Sequence, residues 1–180
     1  MTKRTLLRLS ITLFAFLCLP ASVSSHTRSV RLCIARTSGG STFGQIGQEE
    51  LTNSVIAKQK PAVFIIPVKL KAPSAAEIFD EARQSHCEYV VMTEIFLDEI
   101  STWSRPVMGT AAFFNVPYFR LQMAYKVYRL GDLKSIGRGS VASDGLNQIQ
   151  DVVHKATDRL SRRILTDVNR AGVEASKQQP

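Results

Sequence analysis

The pair His86-Cys87 combines an imidazole with a thiol, the two groups that a cysteine hydrolase uses as base and nucleophile. Both groups are also zinc ligands. Adjacent side chains converge poorly on one ion, and we find no third group that would orient the imidazole. We therefore predict no catalytic residue and no metal site here, and keep a secreted hydrolase that uses Cys87 as an alternative function.

Glu94 and Asp98 are a second candidate for chemistry, because even spacing along a strand places them on one face. Paired carboxylates act as general acid and base in hydrolases. Such residues also form the ordinary polar face of a strand. A carboxylate hydrolase is thus the other form of the enzyme alternative. The glycine-rich segment 39–44 matches no nucleotide-binding spacing, so we predict no cofactor.

The segment 101–119 is rich in aromatic residues and methionine, poor in charge, and long for a link between two strands. That composition is typical of a protein-binding surface. We predict that its large apolar residues bind a partner: Trp103, Met108, Phe113, Phe114 and Tyr118. Two alternatives stay open, namely that these residues complete the core or that they extend both flanking strands.

The first 25 residues have the pattern of a secretory signal peptide. Lys3, Arg4 and Arg8 precede a short apolar run, Pro20 ends it, and small residues lead to a cleavage site near Ser25. The run is shorter than the ~20 residues that span a bilayer. We therefore expect a periplasmic or secreted protein after cleavage.

Export changes the interpretation of the cysteines. Cys18 leaves with the leader, so Cys33 and Cys87 remain. In an oxidising compartment two thiols in a small domain favour a disulfide, although two buried free cysteines are the alternative.

The net charge of +8 includes three positive charges of the leader, so the mature chain has a mild excess of +5. This excess is weak evidence for nucleic acid, and we predict no nucleic-acid partner. The last helical segment carries Lys155, Arg159, Arg162, Arg163 and Arg170. Its basic face could touch anionic lipid or peptidoglycan, although interspersed acidic residues favour an ordinary solvated surface.

Apolar periodicity and turn residues define the elements that position these groups. Strands are predicted at 30–35, 62–66, 88–97, 120–130 and 134–142, and helices at 45–60, from 74, and after Asp144 up to 170. Strand–helix–strand units require right-handed crossovers and parallel pairing. The first strand then lies between the second and third, Pro67 marks the second as an edge, and the last two strands form a hairpin.

The fold class is therefore α/β, with one layered domain over residues 26–170. A mixed, mainly five-stranded sheet carries helices on its faces. Residues 171–180 are expected to form a flexible tail.

Four segments carry a family resemblance: Val30-Arg-Leu-Cys-Ile-Ala35, Ala62-Val-Phe-Ile-Ile-Pro67, Cys87-Glu-Tyr-Val-Val-Met-Thr93 and Met123-Ala-Tyr-Lys-Val-Tyr-Arg-Leu-Gly-Asp132. Their order resembles the periplasmic α/β domain shared by the amino-terminal part of TolB, the curli-secretion lipoprotein CsgG and the lipoprotein activators of penicillin-binding proteins. The resemblance implies a non-enzymatic, envelope-associated module that binds other proteins.

We accordingly expect an exported, non-enzymatic envelope protein that acts as a protein-interaction module in the periplasm or at the outer membrane. A structural or adhesive envelope protein is the remaining alternative to the hydrolase.

Overall fold

A computed structural model describes residues 28–39, 44–59, 63–106, 108, 113–146 and 148–177. The expected leader, residues 1–25, lies outside the described residues. The strands are β1 Arg28–Ile34, β2 Val63–Lys69, β3 Tyr89–Pro106, β4 Phe113–Arg129 and β5 Ser135–Leu146. The helices are α1 Gly44–Ala57, α2 Ala75–Gln84 and α3 Ile149–Lys177.

The five strands form one mixed sheet in the order β2-β1-β3-β4-β5. β1 pairs in parallel with both β2 and β3, whereas β3–β4 and β4–β5 are antiparallel. This confirms the predicted fold class and strand order. Pro67 lies in the edge strand β2, where a missing N–H does least harm. The predicted start of α2 is also confirmed, because Ser74 and Glu77 form a capping box.

Helices α1 and α3 cover one face of the sheet. The apolar core between them includes Val30, Leu32, Ile34, Leu51, Val55, Ile65, Val91, Leu121, Met123, Leu160 and Ile164, all buried. The Ser54 and Ser161 hydroxyls, 2.8 Å apart, join the two helices inside that core. The shorter α2 covers only part of the other face, through a smaller buried cluster around Ile78 and Ala82.

The prediction was wrong about the length of β3 and β4. They pair with each other from Tyr89↔Arg129 to Pro106↔Phe113, so most of the predicted loop 101–119 is strand. The register shifts once, between Ile95 and Leu97. Phe96 is therefore an extra residue, a β-bulge that changes which face each later residue of β3 occupies.

The boundary between β5 and α3 also differs from the prediction. Asp144 and Leu146 belong to β5, and α3 begins only at Ile149. Asp144 therefore does not precede the helix directly; it bonds to a tyrosine of β4. At the other end α3 continues to Lys177, past residue 170, because Ala171 is buried against the core.

A buried tyrosine links β4 to α3. The Tyr125 hydroxyl donates a hydrogen bond of 2.9 Å to the Asp167 carboxylate. Two glycines of β5 make room for this pair: a Cβ at Gly137 would overlap the Asp167 carboxylate, and one at Gly139 would approach the Tyr125 ring to 2.9 Å. Burial, followed by the bond to Asp167, raises the pKa of Tyr125 to about 12 from 10.0.

This pKa shift predicts a loss of stability in alkali. Between pH 10 and 12 the folded state keeps a proton that the unfolded chain has lost, so the free energy of unfolding falls as pH rises. The expected loss is on the order of 2 kcal/mol. Urea unfolding at a series of pH values measures it. Tyr125→Phe is expected to flatten the slope over this range; an unchanged slope would contradict the assignment.

Candidate functional site

Cys33 of β1 and Cys87, just before β3, form a disulfide with a Cα–Cα distance of 5.8 Å. Both cysteines are buried. The pairing expected from the sequence is therefore present, and it joins two strands that are parallel neighbours in the sheet. A bonded sulfur is no thiolate, so the disulfide removes the thiol form of the hydrolase alternative.

The carboxylate hydrolase alternative requires Glu94 and Asp98 on one face of β3, and the Phe96 bulge prevents this. Glu94 pairs with Ala124, but Asp98 pairs with Leu121, so the two positions lie on opposite faces of the sheet rather than on one. Glu94 lines a small open cavity of about 150 Å³ with Ser38 and Lys126. Within the described ranges, that cavity has no second carboxylate in its lining.

The hairpin β3–β4 continues well beyond the rest of the sheet. β1 pairs with β3 only over residues 89–91, followed by a single bridge from Ser38 to Glu94. On the other side β5 pairs with β4 only as far as Tyr118. We call residues 98–106 of β3 and 113–120 of β4 the arm. Among the described residues, its outer part pairs only with itself.

The arm contains most of the residues predicted to bind a partner. In the backbone register Trp103 lies opposite Val116, Phe114 opposite Arg105, and Phe113 opposite Pro106. The side chains of Trp103, Phe113 and Phe114 lie outside what the structure describes. Met108, near the tip, is 99% exposed. The structure thus places these residues on one projecting hairpin, in agreement with the alternative that they extend both strands.

Large apolar side chains that the prediction missed also stay exposed at the arm. Phe96 and Ile100 are 52% and 55% exposed, and Leu146 at the base is 36% exposed. Exposed apolar residues clustered on a projecting element are typical of an interaction surface. The signal that could have indicated a strand here is the presence of β-branched and aromatic residues, Ile100, Thr102 and Trp103.

Tyr118 fixes the base of the arm to β5. Its hydroxyl donates a 2.9 Å hydrogen bond to the Asp144 carboxylate, and this bond is the main cause that raises the pKa of Tyr118. Arg120 lies between Glu99 and Asp144 in the register, an alternation of charge across three strands. Ser101, Thr102, Tyr118, Asp144, Gly145 and Leu146 line an open concavity of about 720 Å³.

The basic face of α3 is partly engaged within the protein. Arg159 and Arg163 each donate a 2.6 Å hydrogen bond to a backbone carbonyl of β5, those of Ala142 and Ser140. Arg162 pairs with Asp158 at 3.0 Å. Lys155 and Arg170 stay exposed. Contact of this helix with lipid or peptidoglycan stays a prediction.

No group of three or more His, Cys, Asp and Glu side chains in the described ranges could hold a metal ion. No helix in that part of the chain is long and apolar enough to cross a membrane.

Several solved structures match this chain at low sequence identity. A variant PelC dodecamer from Paraburkholderia phytofirmans matches with a TM-score of 0.51 and 10% identity, over 74% of this chain and 86% of PelC. TolB from Acinetobacter baumannii is also among the matches, as the sequence resemblance led us to expect (TM-score 0.46, 10% identity, 78% of this chain and 28% of TolB). A lipoprotein from Neisseria meningitidis matches with a TM-score of 0.39 and 9% identity, over 77% and 99% of the two chains.

No protein-family model and no curated protein matches this sequence. The match with PelC shows a common fold.

The disulfide generates a stability prediction. It closes a loop of 54 residues between neighbouring strands, so its loss is expected to lower the free energy of unfolding by up to ~4 kcal/mol in the chain-entropy model. Urea unfolding of the Cys33→Ala/Cys87→Ala variant, compared with the oxidised protein, measures the difference. Equal stability of the two proteins would contradict a stabilising role of the bond.

Proposed function

We propose that this chain is an exported, non-enzymatic protein of the cell envelope that binds other proteins through the arm. The observation that carries the proposal is the projecting hairpin itself, on which Phe96, Ile100 and Met108 remain exposed. A hydrogen-bonded hairpin holds these side chains in place before any partner arrives, so binding loses less conformational entropy than an unstructured loop would.

A location in the periplasm or at the outer membrane has two supports. The first 25 residues have the pattern of a cleaved leader. The buried disulfide between Cys33 and Cys87 fits an oxidising compartment.

Self-association is a specific form of this function. PelC, which has the same fold, was solved as a dodecamer. We propose that copies of this chain associate as well. A purely structural or adhesive role would use the same exposed surface without a defined partner. A dedicated partner is expected to depend on individual side chains, which is what hot-spot residues do.

Substitution in the arm tests the proposal. Trp103→Ala and Ile100→Ala are each expected to weaken partner binding, by ~2 kcal/mol for a true anchor. The matched control is Ile56→Ala in α1, because Ile56 is exposed to a similar degree, 52% against 55% for Ile100. Tagged proteins are expressed from the full-length sequence, and partners are captured from native envelopes and quantified.

Capture that is reduced by both arm variants and unchanged by Ile56→Ala supports the arm as the binding surface. If all three variants retain the same proteins in the same amounts as the wild type, the arm does not bind a partner and the proposal fails.

A further inference from the structure

The two edges of the sheet are closed by specific groups. At the β2 edge, Pro67 has no N–H, and the Gln59 side-chain amide donates 2.6 Å to the Ile65 carbonyl. At the β5 edge, Arg159 and Arg163 donate hydrogen bonds to the carbonyls of Ala142 and Ser140. Such devices prevent a strand of another chain from pairing with an exposed edge.

The direction of these bonds fixes which backbone groups of β3 face outward. The carbonyls of residues 140 and 142 point to the open edge of β5, so the backbone N–H and C=O groups of its even residues face that edge. The backbone groups of its odd residues, such as Val141, therefore face β4. Val141 pairs with Met123, so the backbone groups of Met123 and the other odd residues of β4 face β5. Those of the even residues of β4 face β3. Gln122 pairs with Leu97, so odd residues of β3 in the arm bond to β4. Even residues, from 98 to 104, therefore turn their N–H and C=O groups away from the hairpin.

The Phe96 bulge produces this arrangement. Before it, odd residues of β3 face β1: the Ser38 N–H donates 2.9 Å to the Thr93 carbonyl, and the Ile95 N–H donates 2.8 Å to the Ser38 carbonyl. After it, the parity is reversed.

Among the described residues, nothing pairs with the side of β3 that faces away from β4 beyond Ile95. Pro106 ends this edge as Pro67 interrupts the β2 edge, because it has no N–H. Between residues 98 and 104, no side-chain hydrogen bond caps the arm edge of β3 among the described residues.

We propose that this edge pairs with the same edge of a second copy of the chain, antiparallel and centred on Thr102. The inference rests on the proposed function and names the partner of the arm. Strand addition satisfies the outward backbone groups of Ile100, Thr102 and Ser104. The paired stretch ends at Asp98, which lies opposite Pro106 of the other copy, a residue without an N–H. A two-fold axis through the contact makes the interface isologous, so one edge serves both copies.

Charge complementarity supports the second copy as the occupant. In an antiparallel pairing centred on residue 102, residue 99 of one copy lies opposite residue 105 of the other. Glu99 and Arg105 carry opposite charges, and the symmetry produces this pair twice. In the same register the exposed Ile100 lies opposite Ser104, with no like charges facing each other. A parallel arrangement with the same centre would instead place Glu99 opposite Glu99.

Charge reversal with complementation tests the register. Glu99→Arg alone and Arg105→Glu alone each place like charges opposite one another, so each is expected to raise the dimer dissociation constant by at least about tenfold. An equimolar mixture of the two variants restores both opposite-charge pairs and is expected to form mixed dimers of near wild-type affinity. Native mass spectrometry over a concentration series distinguishes the mixed dimer by its mass.

A backbone substitution tests the edge independently. Thr102→Pro removes the outward N–H while leaving the bonds to β4, and is expected to yield monomer; Thr102→Ala retains the N–H and is expected to remain dimeric. Urea unfolding of each variant confirms that the fold is intact. All samples use protein expressed from the full-length sequence.

The outcomes separate this inference from the proposed function. Two results together support the inference: the Thr102→Pro variant is monomeric, and the mixture of the Glu99→Arg and Arg105→Glu variants forms mixed dimers. Wild-type protein that is monomeric at every concentration, or dimers unaffected by the edge and charge variants, overturns it. If the monomeric protein still captures envelope proteins in an Ile100-dependent manner, the arm binds a foreign chain and the proposed function stands. If capture is also independent of Ile100, both fail.

Discussion

Backbone pairing between β3 and β4 is the constraint on which both the packed core and the arm depend. At one end it positions Val91, Met123 and Val127 in the core under α3, and at the other it forms the arm. Neither strand could project alone, since an unpaired strand in water has little stability. The arm inherits its rigidity from a ladder that begins inside the packed domain. A single extra residue, Phe96, changes the faces of β3 between these two parts.

Much of the sheet could be predicted from the sequence, because its signals are local. Pro67 marked an edge, Ser74 and Glu77 marked a helix start, and the short apolar runs fixed the strand order. The pairing of Cys33 with Cys87 followed from the compartment. The arm was harder to predict from the sequence, because residues exposed on both faces of a hairpin lack the apolar alternation that a half-buried strand shows.

Two errors had a common cause in contacts between distant residues. Aspartate favours the position before a helix, but the partner of Asp144 is the Tyr118 hydroxyl 26 residues away. Glu94 and Asp98 have the spacing of residues on one face, but the bulge separates them. Glycine generally weakens a strand, but Gly137 and Gly139 provide the space that the Tyr125–Asp167 pair occupies. None of these partners is adjacent in sequence.

Two arginines of α3 affect where another strand can pair with the sheet. Arg159 and Arg163 donate to two outward carbonyls of β5, so the helix that covers the sheet also protects its edge. Pro67 and Gln59 close the β2 edge in a similar way. Among the described residues, open strand edges therefore remain at the arm, on β3 and on β4 beyond its pairing with β5. The proposed pairing through the arm would cover the β3 edge of both molecules in one contact. A two-fold contact of this kind is closed, so a third copy cannot add to the same edge.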